Sequence, residues 1–129
     1  MRWDSRYCLF YAHWIFFPPL LQVLTVHSWG PSEVLVRISH SYESGDGALS
    51  ANATISLANL FIGFNLTDIT EMTLTANRAL VSAPTYTYQV DGVSGGVTLP
   101  VIPPAPSGPN AEVSLSPMQI RTFRCTAAY

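Results

Sequence analysis

From residue 34 onward, apolar and polar side chains alternate with a period of two. In VLVRISHSYE, residues 34–43, Val34, Val36, Ile38, His40 and Tyr42 fall on one face, and Arg37, Ser39 and Ser41 on the other, with Leu35 the exception. That is the pattern of a half-buried β-strand. Trp29-Gly30-Pro31-Ser32 before it has turn chemistry, so VLTVHSW is predicted to be its antiparallel neighbour. ATISLANLF begins as a strand through Ile55 and Leu57, and its ANLF end is expected to close in a short helical turn. In ITEMTLTANR, Met72, Leu74 and Ala76 alternate with Glu71, Thr73 and Thr75. TYTYQV sets Tyr86, Tyr88 and Val90 on one face. In the last two strands Val113 pairs with Leu115, and Met118 and Ile120 with Thr122. The expected core sets Val34, Val36 and Ile38 against Met72, Leu74, Met118 and Ile120.

The connectors carry the complementary signal. ESGDGALSAN and DGVSGG are turn-rich. LPVIPPAPSGPN, residues 99–110, holds five of the ten prolines and cannot be a central strand; it reads as a stiff, extended surface excursion. No long helical period follows residue 30. The pattern predicts an all-β chain, an antiparallel β-sandwich over residues 18–129, preceded by an irregular apolar N-terminal segment.

That segment, residues 1–17, is an unassigned apolar leader or non-native start. It has an arginine-bearing beginning, but Asp4 and His13 interrupt it and no small-residue cleavage site follows, so it is not a convincing signal peptide. A membrane span from Tyr7 to Val26 is disfavoured by Pro18, Pro19, Gln22 and His13.

Composition narrows the function classes. The 129 residues suit one domain. Only 11% are charged, there is no lysine, and the net charge is −2, which excludes the basic footprint a nucleic-acid partner requires. So charge-poor a surface suits a domain covered by another body. Cys8 and Cys125 form neither a disulfide scaffold nor a metal-ligand spacing, and the expectation is that they do not pair.

The search for chemistry yields no catalytic and no metal-binding residue. His13, His27 and His40 lie in no H-x-H or H-x-x-x-H pattern, and His40 reads as a hydrogen-bonded core or interface histidine. Glu43 and Asp46 are the nearest thing to an acid pair, with Asp91 in another turn; their expected role is a solvated hairpin loop. Trp29, Tyr42, Tyr86 and Tyr88 have flat faces suited to stacking on sugar rings, although packing is the expected use. Asn52-Ala53-Thr54 and Asn65-Leu66-Thr67 are N-glycosylation acceptor patterns for a secretory chain.

TEMTLTANR followed at the end by VSLSPMQIRTF resembles the C-terminal β-region of glycoside hydrolase family 38, the class II α-mannosidases of lysosomal and plant vacuolar type. FPPLLQVLTV, EVLVRISHSYESGD and ATISLANLF occur in the matching order, so the resemblance runs from about Pro18 to Phe123. It implies a glycosyl hydrolase family 38 C-terminal β-sandwich over residues 18–129. The chemistry it implies is a zinc-dependent retaining glycosidase acting on α-mannosides of glycoprotein N-glycans. Zinc and nucleophile belong to a separate catalytic domain, so no catalytic residue and no cofactor transfers to this chain. The resemblance further implies the catalytic domain as partner and a lysosomal or vacuolar, secretory-pathway location. On this reading the chain is a supporting domain, a fragment of an enzyme or an incomplete gene product. The alternatives are an independent carbohydrate-binding module that contacts glycans, and a secreted interaction domain.

Overall fold

Four antiparallel strands form the larger sheet, in the order β1-β2-β8-β4. They are β1 Leu21–Ser28, β2 Glu33–His40, β4 Asn65–Met72 and β8 Ile120–Ala128. A smaller sheet pairs β3 Ala53–Ser56 with β7 Glu112–Leu115, and a separate ribbon pairs β5 Thr87–Tyr88 with β6 Val97–Thr98. This computed structural model describes residues 18–101, 103–105 and 111–129. The expectations for residues 1–17, with His13 and a Cys8–Cys125 pairing, fall outside the described residues.

The alternation in β2 places Val34, Val36, Ile38 and His40 on the inner face, as the pattern predicts. Val36 and Ile38 are wholly buried there with Leu57, Leu66, Val113, Leu115 and Phe123. β1 pairs antiparallel with β2 from Leu21↔His40 to Ser28↔Val34 through the turn at 29–32. Leu35, the exception in the pattern, is also buried, because the outer face of β2 has its own cover of Met72, Ala76 and Ala79. Arg37 holds that cover down by donating to the Leu74 carbonyl at 3.4 Å. A strand apolar on both faces is a central strand, and β2 lies between β1 and β8.

Two expectations about strand phase are corrected. Met72, Leu74, Met118 and Ile120 do not share the inner face with β2. In β4 the register shifts between Thr67 and Thr70, where Asp68 takes a positive φ of 48°. This bulge adds one residue, so it turns every later side chain to the opposite face. Leu66 and Ile69 point inward before and within it, Glu71 points inward after it, and Met72 points out. The strand then ends: Thr73–Arg78 is a turn closed by the Thr73 amide on the Arg78 carbonyl at 3.0 Å and by Thr73 Oγ1 donating to Asn77 Oδ1 at 2.6 Å. Leu74 is exposed on it. The predicted strand over ITEMTLTANR is therefore the end of a strand and a turn.

The second correction concerns the C-terminal strand. Met118 takes a positive φ of 61° in the turn between β7 and β8, yet the period of two continues across it, and the face that turns inward is the one opposite Met118 and Ile120. Arg121, Phe123, Cys125 and Ala127 face inward, while Met118 and Ile120 are 68% and 44% exposed. The expected strand over TYTYQV shrinks to Thr87–Tyr88, with its residues exposed on both faces. Leu57–Leu60 closes a tight turn after β3, with the Leu60 amide on the Leu57 carbonyl at 3.2 Å.

Candidate functional site

His40, Tyr42, Glu43 and Asp46 come together along one open groove of about 500 Å³, which Gln22 and Ile120 also line. The sequence-selected acids and the histidine thus share one place, and the His40 and Asp46 side chains are engaged in holding the loop. The His40 ring is buried, with Nε2 at 2.9 Å from the Ala51 carbonyl and Nδ1 at 3.3 Å from the Tyr42 amide. Nδ1 also lies 3.2 Å from the Tyr42 carbonyl, so one ring nitrogen meets Tyr42 at the start of the loop and the other meets Ala51 just before β3. Asp46 Oδ2 accepts the Glu43 amide at 3.4 Å, a local turn contact. Among the described residues, no group of three or more His, Cys, Asp or Glu side chains stands together to hold a metal ion.

The tightest polar cluster lies elsewhere, and it was not found as a site in the sequence. Glu71 and Arg121 are 7% and 8% exposed. Arg121 Nε donates to Glu71 Oε1 and Nη2 to Oε2, both at 2.7 Å, a bidentate charge-assisted pair. Arg121 Nη1 also reaches the Ser114 carbonyl on β7 at 2.9 Å, and Nη2 the Pro103 carbonyl at 3.1 Å. Glu71 Oε2 accepts the Ala105 amide at 2.6 Å. One pair therefore ties the large sheet to the small sheet and to the proline-rich segment. Its signal was the spacing of Leu66 and Ile69, three residues apart, which breaks a period of two and betrays the bulge.

The aromatic candidates occupy separate elements. Trp29 is exposed in the β1–β2 turn, Tyr42 is half-buried beside His40, and Tyr86 and Tyr88 are exposed at and before β5. His27 is exposed on β1 and Asp91 in the turn after β5. Asn52 is exposed just before β3, with Thr54 exposed in it. Asn65 is exposed at the start of edge strand β4, and its Thr67 donates to the Thr126 carbonyl at 3.3 Å. Cys125 is a buried free thiol, and burial raises its pKa from 9.0 to about 12.

Fold and cluster together define an antiparallel β-sandwich domain whose buried charges serve its architecture. The model of the glycosyl hydrolases family 38 C-terminal β-sandwich domain matches residues 20–123, and the chain belongs to that family. Lysosomal alpha-mannosidase of Bos taurus is 38% identical over 110 residues, which cover 82% of this chain and 10% of the relative. The Homo sapiens protein of the same name is likewise 38% identical over 110 residues. The alpha-mannosidase of Canavalia ensiformis is 30% identical over 107 residues, 82% of this chain and 11% of the relative. The chain thus spans about a tenth of the length of the curated relatives it matches.

Proposed function

We propose that this chain acts as the non-catalytic C-terminal β-sandwich module of an α-mannosidase that hydrolyses α-mannosides in glycoprotein N-glycans. Its work is packing and stability, and the zinc-dependent chemistry resides in a catalytic domain of the same enzyme. The observation that carries the proposal is the use of the ionisable groups: Glu71, Arg121, His40 and Asp46 each hold backbone or one another in place. A glycosidase needs two carboxylates free to flank a glycosidic bond. The relatives' names also support a lysosomal or vacuolar location, reached through the secretory pathway, where Asn52 and Asn65 would carry glycans.

The test is complementation. Bovine lysosomal α-mannosidase shortened by its matching C-terminal region is co-expressed with this chain, and secreted mannosidase activity is measured. Recovery of activity by the chain is the expected result; no recovery contradicts a supporting role. The exposed Tyr86 and Tyr88 favour a second reading, a carbohydrate-binding module. Specific retention on a glycan array by the chain alone would favour that reading.

A further inference from the structure

From Pro84 to Val101 every residue except Gly96 is exposed, and Tyr88, Val97 and Leu99 are 53%, 40% and 59% exposed. Between Ala79 and Val101 the only charged residue is Asp91. A free surface of this length would be expected to carry charge, and contiguous exposed apolar surface marks a place where another molecule binds. A two-stranded ribbon is marginal by itself, yet this one has a defined form. Thr87 pairs with Thr98 and Tyr88 with Val97. Gly96 has a φ of +72°, and a Cβ there would meet the Tyr88 carbonyl at 2.8 Å, so the ribbon closes only with glycine at that position.

Both limbs of this arm are rooted at the end of β4, through consecutive residues. Met72 bridges Ala79 on the outer face, and Glu71 on the inner face accepts the Ala105 amide while its partner Arg121 holds the Pro103 carbonyl. An apolar arm mounted on two such anchors is a presented surface with a fixed root.

We infer that the arm formed by residues 80–101 is the docking element by which this module seats against an apolar, uncharged surface of the rest of an α-mannosidase polypeptide. The inference rests on the supporting role proposed above. The occupant follows from two facts: the matching region makes up 10% of the bovine relative, which leaves a large body for it to contact, and the arm offers almost no charge to an ionic partner. A few centrally buried residues carry most of an interface's affinity, Tyr among the commonest, and the apolar side chains around them exclude water.

The experiment places three forms of the chain in the complementation assay. The arm variant carries Tyr88→Glu, Val97→Lys and Leu99→Glu; the first two keep opposite charges across the ribbon pair. The control carries Leu74→Lys, an exposed apolar site outside the arm. The arm variant is expected to lose about tenfold or more of the recovered activity, the loss typical of an interface anchor. The control should match the native chain, and both variants alone should melt as the native chain does, because the altered side chains are exposed. Recovery by the arm variant equal to native overturns the arm inference and leaves the supporting role standing. Failure of the native chain itself to complement overturns both. Specific binding of the arm to mannose-containing glycans, abolished in the arm variant, would replace protein docking with sugar recognition.

Discussion

Arg121 on β8 and Glu71 on the edge strand β4 meet on the buried face of the large sheet through two hydrogen bonds of 2.7 Å, and each also holds backbone from another part of the chain. Removing one partner leaves a charge buried without compensation, which typically costs about 3–5 kcal/mol. Arg121→Met is therefore expected to lower the stability in urea by that order. Glu71→Gln, which keeps acceptors and shape, should cost less. A near-neutral Arg121→Met would show that the pair does not join the two sheets in solution.

The phase of β8 gives a second prediction. Phe123 is fully buried and Ile120 is 44% exposed. Phe123→Ala should destabilise by about 3–5 kcal/mol, whereas Ile120→Asp should stay within about 1 kcal/mol, as surface substitutions usually do. Equilibrium denaturation of both variants reads the phase directly. The reverse order would restore the inner-face placement of Ile120 that simple alternation suggests.

Cys125 supplies a pH dependence. Its folded pKa is raised by burial from 9.0 to about 12, so the folded state binds the thiol proton more tightly than the unfolded state. The resulting stability is complete below pH 9 and is lost progressively as pH rises from about 9 to 12. In a Cys8→Ser background, Cys125→Ala should flatten part of the stability loss over that window. A thiol reagent at neutral pH should label Cys125 only after denaturation; rapid labelling of the native chain would contradict its burial.

The sequons give a fourth prediction. Expressed with a secretion signal, the chain should shift in gel mobility on treatment with an N-glycosidase. The shift should fall in two steps, with Asn52→Gln and Asn65→Gln. Both asparagines are exposed, so neither glycan conflicts with the fold. An unshifted secreted chain would remove both acceptor assignments.

The all-β class, the β1–β2 hairpin and the inward face of β2 were legible because a period of two runs from Val34 to His40 with Leu35 its only exception. The faces of β4 and β8 were not. In β8 the period of two is unbroken, but its inner face carries Arg121, so the face of Met118 and Ile120 read as the apolar one. In β4 a residue is inserted at the positive φ of Asp68, and it inverts all that follow. That inversion concealed the Glu71–Arg121 pair, because alternation assigned Glu71 to solvent. His40 was legible as a core histidine from its place on the apolar face. Its two backbone partners depend on a loop that brings Ala51 back to it, which spacing alone does not show.

The most direct test of the central claim, that the chain supports an α-mannosidase without itself being catalytic, is hydrolysis by the chain alone. Purified protein is incubated with a chromogenic α-mannoside and added zinc at acidic pH. The account predicts turnover at background, because acid–base catalysis alone supplies about 10² to 10⁴-fold, and Asp46 and His40 are held in loop contacts. Zinc-dependent turnover that a mannosidase inhibitor blocks and that Asp46→Asn or Glu43→Gln abolishes would contradict it, and would make the groove beside His40 an active site.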